Sequence, residues 1–171
     1  MSAPEVEFSR PFPVDRLHGA EIVQSIAAND GERAALAKRF GLVGIGALEA
    51  ELTISPPNVA SLIAVEGALQ GVVTQTCILT AEEFETIVNV PVKSLFGTTS
   101  PDFEIDPESE WDAPDPIEQG VIDLGELVAQ QLAVNLDPYP KKPGAEWREI
   151  EADGGISPVS PFAILKNLKT T

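Results

Sequence analysis

Hydrophobic and polar residues change their spacing several times along this chain, and each change marks an element. From Asn29 to Phe40 the pattern is helical, with Leu36 and Phe40 one turn apart and alanines between. Asn29 can cap this helix, Glu32 stands three residues on as in a capping box, and Gly41 suits the left-handed residue after the last turn. Lys38 and Arg39 fall in the last turn, where cations complement the helix dipole. Just upstream, Ile22, Val23 and Ile26 predict an earlier short helix over Ala20 to Ala28.

Beyond Gly41 the period drops to two. Leu48, Ala50, Leu52 and Ile54 alternate with Glu49, Glu51 and Thr53, the pattern of a half-buried strand. Pro56-Pro57-Asn58 is a turn. A second strand is expected over Ala60 to Glu66 and a third over Gly67 to Thr76, with Gly71 a bulge or tight bend. Thr86 to Phe96 makes a fourth, with Val88, Val90 and Val92 on one face. Pro91 removes a ladder donor there, which points to an edge or bulged position. The fold class predicted is α+β: an antiparallel sheet or small β-barrel of about four or more strands, with two to four helices packed against it.

Residues 97–120 read as a Pro- and acid-rich connection. A second helix follows, with Asp123 as cap, Glu126 at its third position, and Leu124, Leu127, Val128, Leu132 and Leu136 as its apolar face. Asp137-Pro138 ends it. Pro138 to Gly144 should be extended, with polyproline character. The division expected is a single domain over 1–150 and a flexible C-terminal tail over 151–171, with a short helix from Ser160-Pro161 carrying Phe162, Leu165 and Leu168.

Composition narrows the function. The 171 residues fit one domain that needs no metal or disulfide to hold it. The longest apolar run, Leu42 to Leu48, is too short to cross a bilayer, and the N-terminus has no signal-peptide pattern. A cytoplasmic protein with no membrane contact is expected. The formal charge is −16, and it is localised: eleven acidic residues and no Lys or Arg lie between Thr99 and Pro140. Such a stretch repels phosphate backbones and attracts basic partners; the alternative reading is a solvated loop that only keeps the chain soluble. Any RNA contact would fall to the minor basic clusters Arg33/Lys38/Arg39 and Lys141/Lys142/Arg148.

Catalytic chemistry finds little support. His18, the only histidine, sits in Arg16-Leu17-His18-Gly19 with no nucleophile motif near it. Cys77, the only cysteine, reads as a small buried hydrophobe at a strand end. Walker, dinucleotide and EF-hand signatures are absent, and neither metal nor cofactor is expected. Paired carboxylates for hydrolysis stay open as an alternative, because such pairs are recognised in space. Trp111 and Trp147 are loop aromatics, either packed back on the domain or exposed as anchors. The stiff stretch Pro138 to Gly144 is a recognition candidate, since holding it costs little entropy; the alternative is a connector covering the helix end.

Three motifs in order carry a resemblance. They are Gly67-Ala68-Leu69-Gln70-Gly71-Val72-Val73-Thr74-Gln75-Thr76-Cys77, then Asp115-Pro116-Ile117, then Ile122-Asp123-Leu124-Gly125-Glu126-Leu127 running on to Leu132. With Pro138 to Gly144 they resemble the YceD-like family, the large ribosomal RNA subunit accumulation proteins, over residues 60–145. One departure stands out: where many relatives carry a C-x-x-C pair, Cys77 is followed three positions on by Thr80. A zinc or redox role attached to that pair lacks its second sulfur here.

The resemblance implies a non-enzymatic factor supporting large-subunit rRNA accumulation. Together with the charge, it makes a basic ribosomal protein or a pre-large-subunit particle the expected partner. The residues expected to contact it are Asp115, Pro116, Asp123, Glu126, Tyr139, Pro140, Lys141 and Lys142. Two alternatives remain, a direct RNA-binding module and a carboxylate-dependent hydrolase.

Overall fold

The computed structural model describes residues 6–57, 61–97 and 113–146. Its largest element is a four-stranded antiparallel sheet in the order β2 (Ile22–Ala27), β3 (Gly44–Ile54), β4 (Ile63–Thr76), β5 (Glu83–Phe96). Two helices accompany it, α1 (Asp30–Phe40) and α2 (Leu124–Asn135). A two-stranded ribbon pairs β1 (Pro11–Pro13) with β6 (Val121–Asp123). The α+β class is therefore as expected, in its open-sheet form: the sheet does not close into a barrel.

Alternation decides which face of the sheet is covered. Leu48, Leu52 and Ile54 of β3, Val65, Leu69 and Val73 of β4, and Val92 of β5 point into one core and are almost fully buried. Glu49, Glu51, Glu66 and Gln70 point the other way and are exposed. Helix α2 closes the core with Leu124, Leu127, Val128, Ala129 and Leu132. Leu132 reaches the sheet at Gly71, where a Cβ would stand 3.9 Å from its methyl group, in ordinary contact. Gly71 is thus no bulge. It pairs in register with Leu48 and Val88, and the one irregularity lies between Ile45 and Ala47.

Two further expectations are corrected. Ile22 to Ala27 is a strand, not a helix, pairing along its whole length with Glu49 to Ile54 of β3. Its β-branched residues suit a strand, and a strand there hydrogen-bonds the otherwise open side of β3. The second and third strands are a single one, β4, unbroken across Glu66 and Gly67. Pro91 does lie on an edge strand. Asn58, Trp111, Trp147, Arg148 and the tail helix from Ser160 lie outside the described residues.

Both helix starts follow their side chains. Asn29 accepts from the Glu32 amide, and the Glu32 carboxylate accepts from the Asn29 amide, a complete capping box. Gly41 closes the helix with φ +67°, a conformation that favours glycine. Asp123 caps α2 by accepting from the amides of Gly125 and Glu126 at 3.0 and 3.1 Å. The same oxygen accepts the Arg10 amide at 2.8 Å, and the second oxygen accepts the Ser9 hydroxyl. This ties an N-terminal strap, residues 7–13, across the start of α2.

The approach is close. A Cβ on Gly125 would stand 2.5 Å from the Phe8 carbonyl oxygen, so only glycine fits there. The strap buries Phe8 and Phe12 completely or nearly so. Arg10 then grips α1 through a two-pronged pair with Glu32 at 2.7 and 2.9 Å. Arg39 of α1 grips Glu126 of α2 at 2.9 and 3.0 Å and also reaches Glu7.

Truncating the helix face or its cap should show the difference between packing and capping. Leu132→Ala should cost about 2–5 kcal/mol by leaving a cavity. Asp123→Ala should cost about 1 kcal/mol for the cap, plus what the strap loses with it. Urea unfolding checks both.

Arg10 holds the Glu32 carboxyl below its ordinary 4.5, and Arg39 does the same for Glu126. A carboxylate depressed in the folded state stabilises fully above its unfolded value and loses that contribution as pH falls through the folded one. The melting temperature should therefore drop below about pH 4.5, and the Glu32→Gln, Glu126→Gln double variant should show a shallower drop.

Candidate functional site

The eight residues expected to contact a partner fall into two groups, one at each end of α2. A helix of 12 residues puts those ends about 18 Å apart. Asp115, Pro116, Asp123 and Glu126 line one open depression of about 560 Å³ at the N-terminal end. Tyr139, Pro140, Lys141 and Lys142 lie beyond the C-terminal end.

The depression is built from main-chain docking. Asp115 donates its amide to the Leu95 carbonyl and accepts from the Gly97 amide, at 2.8 and 2.9 Å, so it is fixed at the end of β5. The chain then turns tightly at Gln119 and Gly120, both with positive φ, before entering β6. The Gly120 carbonyl accepts from the Val14 amide, which anchors the turn to the strap region. Phe96, Ile122, Leu127 and Pro11 supply apolar surface, while Asp115, Glu118, Asp123 and Glu126 supply carboxylates.

These four acids are not equivalent. Asp123 is spent on the cap and the strap, and Glu126 on Arg39 and on the Gln130 amide at 3.2 Å. Asp115 and Glu118 are exposed, and among the described residues their carboxylates make no hydrogen bond or ion pair. An apolar floor with two uncommitted carboxylates at its rim matches a lysine or arginine side chain, which has an apolar stem and a cationic head. Glu118 carries this reading as much as Asp115 does. The Gln119-Gly120 turn was the signal in the sequence that could have singled it out.

At the other end, the Pro138–Pro140 turn is clamped from inside. Gln75 is the one buried polar residue of the described core, and its amide donates to the Asp137 carbonyl at 3.2 Å. The Asp137 carboxylate accepts the Tyr139 amide at 2.9 Å, and the Pro140 carbonyl accepts the Ile78 amide at 2.9 Å. Lys142 pairs with Glu82 at 3.0 Å. The backbone around Tyr139 is therefore fixed on both sides, yet its side chain is 70% exposed. A rigidly presented aromatic loses little freedom on binding.

Cys77 is buried, as expected, in the turn between β4 and β5. Hydrogen bonding from Thr80, and from the backbone of Lys142, Leu79 and Thr80, draws its thiol down to about 7 against the opposing effect of burial. Thr80 thus serves the sulfur as a donor. His18 is exposed in the loop after β1. Among the described residues, no three His, Cys, Asp or Glu side chains gather as a metal site, and no helix is long and apolar enough to cross a membrane.

Comparison with known proteins gives a family match. The family model described as "Large ribosomal RNA subunit accumulation protein YceD" matches residues 65–169, from the third residue of β4 onward. Neither the curated proteins nor the solved structures contain a match to this chain.

The clamp and the exposed ring should separate in mutagenesis. Gln75→Leu should cost about 1–3 kcal/mol, because it strips the Asp137 carbonyl of a buried donor. Tyr139→Ala should leave the melting temperature nearly unchanged. Thermal melts of both variants check the contrast.

Proposed function

The chain belongs to the YceD family of large ribosomal RNA subunit accumulation proteins, and from that premise we propose that it is a non-enzymatic ribosome-biogenesis factor binding a basic ribosomal protein or a pre-large-subunit particle. The depression at the head of α2 carries this reading. It combines an apolar floor with two carboxylates that have no partner among the described residues, in a chain of formal charge −16. Such a surface draws cationic partners over a Debye length of about 8 Å in physiological salt. Tyr139 and Lys141 would supply a second contact at the far end of the helix. Work in the cytoplasm fits this role.

The RNA-binding alternative is weaker on these side chains. Arg39 is committed to Glu126 and Glu7, Arg33 to Asp30 and the Ala28 carbonyl, and Lys142 to Glu82. A carboxylate hydrolase would need an acid held protonated near neutral pH. The carboxylates of Glu32, Glu82 and Glu126 are all shifted the opposite way, each by a cationic neighbour.

The test is a pair of variants read in cells and by sedimentation. Asp115→Lys with Glu118→Lys should melt normally, lose salt-sensitive co-sedimentation with pre-large-subunit particles, and lower mature large-subunit rRNA. Tyr139→Ala, and Lys141→Glu with Lys142→Glu, should act in the same direction. Normal rRNA levels in all three would refute the reading. Tight, nuclease-sensitive binding to naked rRNA would replace it with the RNA-binding one.

A further inference from the structure

Strand β5 lies at the sheet edge, and its free side can be read residue by residue. Along an extended strand, the amide and carbonyl of one residue point to the same side, and successive residues alternate. The Leu95 carbonyl and the Gly97 amide both bond Asp115, which lies outside the sheet, so odd-numbered residues face outward. Pairing with β4 runs in unbroken register from Glu83 to Phe96, so the same parity holds down to Asn89 and Ile87. Pro91, which has no amide hydrogen to offer, falls on an outward position as this parity requires.

The outward main-chain groups of Ile87 and Asn89 have no hydrogen-bond partner among the described residues. In front of them runs a groove of about 400 Å³, with Thr86 to Val90 as one wall and Leu136 and Pro140 on the other. The Ile87 side chain, beside it on the outer face, is 79% exposed, more than any other large apolar residue described. The edge already accepts added backbone, since Asp115 bridges to Phe96 as a parallel neighbour.

We propose that this edge, from Ile87 to Asn89, takes an extended segment of a basic partner protein as an added strand. The proposal rests on the partner-binding reading above only for the segment's charge. Alternate residues of the segment would enter the groove against Val88, Val90 and Leu136, which calls for apolar side chains. The others would lie on the outer face beside Ile87 and near Glu83 and Glu85, which calls for lysine or arginine. A second copy fits poorly, because two copies each of formal charge −16 repel one another. A nucleic-acid strand offers no ladder of amides and carbonyls at this spacing.

The test uses the full chain and a capped peptide alternating lysine and valine, about seven residues long, slightly more than a typical strand. In the protein alone the Ile87 and Asn89 amides should exchange quickly with solvent, and the peptide should slow both. Asn89→Pro removes only an outward amide, as Pro91 already does, so it should melt normally and weaken the peptide about tenfold. Pro91→Thr restores an outward donor and should tighten it.

N-methylating the peptide's edge-facing amides should abolish binding, a readout that needs no protein variant. Equal binding of the methylated peptide would mean charge attraction alone and overturn the proposal, as would no binding of the parent peptide. Slow exchange in the free monomer would mean the chain covers its own edge, and slowing that grows with protein concentration would mean a second copy; either defeats it. Slowing by a single-stranded oligoribonucleotide in place of the peptide would defeat it as well. None of these outcomes depends on the rRNA phenotypes of Asp115 and Glu118, so the two readings fail separately.

Discussion

A single carboxylate, that of Asp123, joins the start of this chain to its later half. Its oxygens take the amides of Arg10, Gly125 and Glu126 and the hydroxyl of Ser9. The β1–β6 pairing and the burial of Phe8 and Phe12 hold the strap across the head of α2 beside it. The Arg10–Glu32 and Arg39–Glu126 pairs reinforce the joint from the side of α1. Hydrogen bonds to a charged acceptor are each worth roughly twice a neutral one. The matched family segment begins at residue 65, so the strap, α1 and the first strands of the sheet all precede it. They are nonetheless structurally inseparable from it, because β3 pairs along β4 and the strap caps α2.

What could be read from the sequence was what local chemistry specifies. Asn29 with Glu32, Gly41, and Asp123 before an apolar stripe mark helix boundaries through contacts a few residues apart. Such contacts survive in any context. Ile22 to Ala27 was misread because its spacing admits a helix, and only the distant partner strand decides the matter. The break placed at Glu66 and Gly67 failed for a similar reason: continuous pairing on both sides holds β4 straight through it. The strap was not foreseen at all. Phe8 and Phe12 stand four apart as on a helix, yet they lie on a strap with prolines at 11 and 13, and their burial depends on a turn of α2 more than a hundred residues away in sequence.

The same limit applies to the acidic stretch. Counting charges between Thr99 and Pro140 gives the sign of the stretch but cannot sort its members. Asp123, Glu126 and Asp137 hold a cap, an interhelical pair and a turn, while Asp115 and Glu118 have no partner among the described residues. A carboxylate already satisfied inside the fold offers a partner little, whatever its contribution to net charge. Tyr139 is the converse case. Its exposure is unremarkable in a sequence, and its meaning comes from Gln75, Asp137 and Ile78 fixing the backbone beneath it.

The pairing of Asp115 with Leu95 and Gly97 also bears on aggregation. The Leu95 carbonyl and the Gly97 amide would otherwise stand open at the end of an edge strand. Unpaired edge groups are templates for pairing between chains, and covering them is one way natural sheets avoid it. At this end of β5 the chain's own backbone occupies those positions, which withdraws them from any ladder built between molecules.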